Sequence, residues 1–117
     1  MMTVATILLS YNRPRMLREA VASLAAAGPD QVILVDDGSD FDPVPLLACL
    51  KVIGTVLAPP MTTEERLVTP RLGRLINQAL SAVTADIVTY LCDDDLLHPG
   101  WLCAVRRFFE ANGAEHW

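Results

Sequence analysis

Ile87-Val88-Thr89-Tyr90-Leu91-Cys92-Asp93-Asp94-Asp95 is the stretch on which the fold of this 117-residue chain turns. Residues 87 to 91 form an apolar run of strand length, as in a parallel strand buried on both faces. Three consecutive carboxylates follow it, one residue on, after Cys92. Adjacent like charges repel, so such a cluster persists where water or a cation offsets it. A hard cation such as Mg2+ or Mn2+ takes one or two carboxylates together with phosphate oxygens. The stretch therefore suits a metal-diphosphate site at a strand end. It equally suits a solvated acidic turn ahead of a helix opening near Pro99.

Working outward, the same pattern recurs. Val4 to Leu9 is a continuous apolar run that gives way to the polar loop Ser10-Tyr11-Asn12-Arg13. Pro14 opens a helix, where its missing N–H costs nothing. Leu17, Ala20, Val21 and Leu24 make one apolar stripe, and Gly28-Pro29 stops it. Gln31 to Val35 is a second buried strand, running into Asp36-Asp37-Gly38-Ser39-Asp40. Phe41 to Leu50 holds one short helix, and Lys51 to Leu57 is a weaker third strand. Ala58 to Thr69, with Pro59, Pro60 and adjacent threonines, is expected to be irregular and mobile. A helix from Pro70 places Leu72, Leu75, Ile76, Ala79, Leu80 and Val83 on one face. The last helix starts at Pro99, turns Leu102, Val105 and Phe109 inward, and stops at Gly113.

Strands alternating with helices predict an α/β fold, an open, mainly parallel four-stranded sheet flanked by helices, in a single domain over residues 1–117. Ligands of such sheets bind beyond the carboxyl ends of the strands. Those ends carry Ser10-Tyr11-Asn12-Arg13, Asp36-Asp37-Gly38-Ser39 and Asp93-Asp94-Asp95, three polar clusters converging on one edge.

Composition narrows the partners. The net charge of −5, without a basic block, argues against nucleic acid and acidic membranes. The 52% hydrophobic content is that of a folded core rather than a disordered chain. The three cysteines form no CxxC pair, which fits reduced thiols and a cytoplasmic location. No run reaches membrane-spanning length.

Several chemistries are disfavoured by position. A phosphorylatable receiver or a haloacid-dehalogenase-like site wants aspartates after the first strand, which here ends in Ser-Tyr-Asn. A calcium loop wants glycine at the sixth position from Asp93, which is His98. There is no glycine-rich phosphate loop, so metal and arginine must hold any phosphate. Cys92, His98 and the aspartates do not make a tetrahedral zinc set, and Cys92 is expected to point into the core.

Thr6 to Pro14 (T-I-L-L-S-Y-N-R-P), Val35 to Ser39 (V-D-D-G-S), Arg74 to Leu80 (R-L-I-N-Q-A-L) and Tyr90 to Pro99 (Y-L-C-D-D-D-L-L-H-P), in this order and spacing, resemble a family 2 glycosyltransferase of GT-A fold. They are similar in particular to the spore-coat polysaccharide type. The resemblance covers the whole chain but only the first, nucleotide-binding half of that family's domain. It implies that Ser10, Tyr11 and Asn12 line a nucleoside site, with Tyr11 stacking on the base. Asp37 would accept from a uracil or thymine N–H, while Asp36 supports that loop or reaches the ribose. One carboxylate of that pair could instead cap a turn. Arg71 would reach the base or diphosphate, with Arg66 and Arg74 as competitors.

Cys92 stands where the family often has the first aspartate of Asp-x-Asp. The resemblance then implies Asp94 as the best ligand for Mn2+ or Mg2+, Asp93 toward the ribose and metal, and Asp95 behind them. The implied activity is transfer of a sugar from a UDP- or dTDP-sugar to an acceptor hydroxyl. The family's catalytic base is not identified, since Glu110 and Glu115 look like solvent-facing helix residues. A truncated enzyme, weakly active or inactive alone, is therefore expected, and an exposed edge of the fourth strand invites self-association. A non-catalytic binding or assembly module of the same fold is the alternative. A nucleotidyltransferase is disfavoured by the lack of a glycine- and lysine-rich first loop.

Overall fold

The structure, a computed structural model, describes residues 1–113. Glu115 lies outside the described residues. Four strands form one sheet: β1 (Val4–Ser10), β2 (Gln31–Asp36), β3 (Val52–Leu57) and β4 (Ile87–Cys92). Their order is β3-β2-β1-β4 and every pairing is parallel. The helices are α1 (Pro14–Ala27), α2 (Thr63–Val68), α3 (Leu72–Leu80) and α4 (Trp101–Asn112), with a 3-10 turn at Val44–Leu47.

Period-two alternation divides the central strands between two half-cores. Val4, Leu8, Val32, Leu34, Ile87 and Leu91 pack under α1 and α4, against Leu17, Ala20, Val21, Leu24 and Leu102. Ile7, Ile33, Val35 and Val56 face the other way, against Leu75 and Ala79 of α3. The apolar stripe of α1 is thus buried as its spacing predicts, and its C-cap Gly28 takes a left-handed conformation (φ 73°). Helix α3 lies against β2 and β3, so the same face of β4 is less covered and Tyr90 is half exposed.

Three expectations change. The segment 58–69 is not irregular throughout, because α2 lies within it. Its N-terminus is a capping box: Glu65 N–H donates to Thr62 Oγ1 at 3.1 Å, and Thr62 N–H donates back to the Glu65 carboxylate at 3.3 Å. Helix α3 is shorter than expected and buries Leu75 and Ala79, leaving Leu72 and Leu80 exposed. Cys92 is half-buried and faces a cavity rather than the core, because Leu91 takes the core side and alternation sends its neighbour the other way.

Register positions the site. Ser10 pairs with Asp36 and Leu9 with Cys92, so all three polar ends stop at the same level. Asp37 N–H donates to Ser10 O at 3.0 Å and Asp93 N–H to Leu9 O at 2.9 Å, extending the pairing one residue into each loop.

Candidate nucleotide and metal site

The carboxyl ends of β1, β2 and β4 surround a cavity of about 260 Å3 lined by Ser10, Tyr11, Arg13, Asp37, Arg66, Cys92, Asp93 and Asp94. A second cavity, of about 320 Å3, adjoins it and shares Asp37, Arg66 and Leu72 with the first. Arg71 lines only this second space.

The first two loops are bound to each other. Asn12 adopts positive φ (46°), its N–H donates to Ser39 Oγ at 2.9 Å, and its side-chain oxygen accepts from Asp40 N–H at 2.7 Å. Asn12 is thereby a loop clamp in this state. Asp36 is buried, and its carboxylate accepts from Ser39 N–H (2.8 Å) and Ser39 Oγ (2.6 Å), closing the turn of V-D-D-G-S. Of the two outcomes open for this pair, turn capping falls to Asp36.

Asp37 has a different environment. Arg71 Nε donates to one carboxylate oxygen at 2.7 Å and Arg66 Nη2 to the other at 3.0 Å. Both guanidinium groups also donate to the Asp37 carbonyl, at 2.9 and 3.1 Å. Arg71, itself buried, makes a further bond to Pro59 O at 2.6 Å. This convergence explains Gly38, which has φ 88°. A Cβ there would lie 2.7 Å from both Arg71 Nη2 and Pro59 O. Arg66, weighed in the sequence only as a competitor of Arg71, also lies over the Tyr11 ring at 3.6 Å from its centroid. Arg74 is exposed on α3.

At the end of β4 the three aspartates diverge. Asp93 is buried, and its carboxylate accepts from Tyr11 N–H at 2.8 Å and from Arg13 Nη1 at 3.1 Å, tying β4 to the β1 loop. Asp94 is exposed and meets the same Arg13 nitrogen at 3.3 Å. Donor atoms of Cys92, Asp94 and Asp95 all lie within 4.8 Å of one another. Two accessible carboxylates fit a hard cation that keeps water or phosphate oxygens in its remaining positions. The thiol is the poorer donor for such an ion. Its pKa is raised, first by burial and then by the three neighbouring carboxylates, so it holds its proton at neutral pH.

Ser10 supplies an independent sign of a ligand. It is buried, lines the first cavity, and its hydroxyl has no hydrogen-bond partner among the described residues. A buried polar group without a partner is costly, and a bound molecule relieves it. His98 has a local role: its Nδ1 accepts from Gly100 N–H at 3.0 Å ahead of α4. Glu110 accepts from Met2 N–H at 3.1 Å, and Asn77 is exposed on α3. In the sequence Arg13 stands out only as part of a polar loop. The signal that could have found it is the cation demand of three adjacent carboxylates.

An all-parallel sheet with polar strand ends gathered over a cavity is a Rossmann-like α/β arrangement, in which ligands bind beyond the carboxyl ends of the strands. The profile of glycosyl transferase family 2 matches residues 6–116, and the chain belongs to that family. It is 30% identical over 114 residues to protein CgeD of Bacillus subtilis (strain 168), across 91% of this chain and 26% of that protein. Residues 1–349 of S. aureus TarS share the fold with a TM-score of 0.74 at 21% identity, over 94% of this chain and 33% of that one. Glucosyl-3-phosphoglycerate synthase of Mycobacterium tuberculosis, solved with Mn2+, uridine diphosphate and phosphoglyceric acid, follows at a TM-score of 0.62 and 21% identity, over 87% of this chain and 37% of that one. The chain thus spans between about a quarter and somewhat over a third of these relatives. Among the described residues no helix is long and apolar enough to cross a membrane.

Proposed function

We propose that this chain binds the nucleoside diphosphate sugar in a glycosyl transfer reaction, with UDP- or dTDP-sugar as donor and Mn2+ or Mg2+ as cofactor. The observation that carries the proposal is the cavity at three converging strand ends, with a Ser10 hydroxyl that has no partner among the described residues on its wall and accessible Asp94 at its rim. Family membership and a fold shared with a protein that binds uridine diphosphate and Mn2+ support it.

Ser10 and Tyr11 line the nucleoside pocket, where the Tyr11 ring stacks on the base in exchange for the Arg66 guanidinium. Asp37 accepts from the base N–H, held in place by Arg71. Asp36 and Asn12 hold the two loops, and Asp93 keeps the end of β4 against the β1 loop beside the ribose. Asp94 and Asp95 hold the cation. When bound, the cation stabilises charge on the departing diphosphate as a Lewis acid. At about 260 and 320 Å3 the two cavities lie just below and just above the lower end of the usual range for small-molecule sites, roughly 300–1,000 Å3. A nucleoside diphosphate therefore uses both, across the side chains of Asp37, Arg66 and Leu72 that they share. Transfer itself breaks the bond between the anomeric carbon and the diphosphate oxygen as the acceptor oxygen attacks. The base that takes the acceptor proton is not assigned to any described residue.

Calorimetric titration of UDP, dTDP and GDP, each with and without Mn2+, tests the proposal. Metal-dependent binding of a pyrimidine diphosphate is expected. Absence of binding by all three in the presence of Mn2+ overturns it and leaves a non-catalytic assembly module of the same fold.

A further inference from the structure

We infer that Arg13 is a displaceable internal counter-ion: it occupies the charge of the cation site until a diphosphate draws it away, so that metal and nucleotide load together. The inference rests on the donor-binding proposal above and deepens it by giving an unassigned residue a role in that site. One nitrogen, Arg13 Nη1, bridges Asp93 at 3.1 Å and Asp94 at 3.3 Å. A hard cation such as Mg2+ held by Asp94 would contact its oxygen directly, at about 2.0–2.1 Å. An ion placed on the oxygen that Arg13 holds would lie within a few ångströms of a guanidinium that cannot lose its proton. Two cations at that spacing repel, so either Arg13 or the metal holds the carboxylate.

The remaining arginines show why Arg13 is the one that releases its carboxylates. Side-chain exposure is 7% for Arg71, 27% for Arg66 and 51% for Arg13. Arg71 and Arg66 each make more than one bond to Asp37, and Arg71 a further one to Pro59. Arg13 holds on by a single nitrogen, lines the cavity and has solvent on one side. Its planar fork matches phosphate oxygens in two-point contact, which one nitrogen shared between two carboxylates does not satisfy. A diphosphate entering the cavity offers Arg13 a better partner and frees Asp94 for the metal. Asp93 keeps the Tyr11 N–H bond throughout, so the end of β4 stays in register.

The sign of one substitution tests this. Free Mn2+ is followed by its electron paramagnetic resonance signal as the intact chain is titrated with and without UDP, corrected for the metal-nucleotide complex in solution. Wild-type protein is expected to bind Mn2+ weakly alone and at least about tenfold more tightly with UDP, within the usual span of coupling between two sites. Arg13→Gln is expected to bind Mn2+ alone about tenfold more tightly than wild type, and to lose most of the enhancement by UDP. Should Arg13→Gln unfold, Arg13→Lys answers the same question, because a compact ammonium bridges the two carboxylates less well and Mn2+ alone must again bind more tightly. Unchanged or weakened Mn2+ binding in the folded variant overturns the counter-ion role while the UDP result stands. Failure of wild type to bind UDP with Mn2+ overturns the donor-site proposal, and the counter-ion role with it.

Discussion

The strand ends at Asp37 and at Asp94 carry the same residue type at the same level of the sheet, yet they are neutralised in opposite ways. Asp37 is enclosed by two guanidinium groups that also bind its carbonyl, and its side chain is 14% exposed. Asp94 shares one nitrogen of a half-exposed arginine with Asp93 and has Asp95 beside it. The first arrangement neutralises the carboxylate charge without a metal and shapes the loop. The second leaves an excess of negative charge, which suits an exchangeable cation. A pair of aspartates after a strand is thus a scaffold or a ligand site according to the rigidity and burial of the cations around it.

The sharpest way to break this contrast is to remove the scaffold cation. Arg71→Met is expected to lower the unfolding free energy in urea by about 3 kcal/mol, because a carboxylate that is mostly buried loses its main partner. The half-exposed pair of Arg13 contributes about 1 kcal/mol or less by the same measurement. Equal losses at both positions would erase the distinction. Asp94→Ala is expected to change stability by no more than about 0.5 kcal/mol, since the residue is exposed, while abolishing the dependence of UDP binding on Mn2+. A folding defect in that variant would make Asp94 structural.

The smallest effect is expected at Asp30, at the opposite end of the sheet, where no ligand is proposed. Its carboxyl lies below the ordinary value of 3.8, first because Val4 N–H donates to it and then because Arg106 does, with burial working weakly against both. A folded-state pKa below the unfolded one contributes stability that is present above pH 3.8 and is lost as pH falls through the lower folded value. Thermal unfolding of Asp30→Asn between pH 5 and 2, compared with wild type, is expected to lack that component. The site substitution Asp94→Ala is expected to retain it.

Much of the site was legible because the signals are local. The strand runs, the α1 stripe and the polar turn after each strand depend on neighbours a few residues apart. So does the α2 capping box, Thr62 with Glu65, whose signal was present but hidden among prolines and threonines. The roles of individual carboxylates were less legible. Asp36 and Asp37 are adjacent and chemically identical, and only the turn formed with Ser39 and the arrival of two arginines from 29 and 34 residues away separate them.

The alternation of strand and helix and the polarity of the strand ends are written in the local sequence, because period-two burial and helix signals act over a few residues. Tertiary structure alone decided which aspartate closes a turn, which is held by arginine and which stays available. Those distinctions depend on contacts such as Arg13 to Asp93, 80 residues apart in the chain. The parallel register of β1 and β4 creates that contact by bringing the two strand ends together, and no local pattern encodes it.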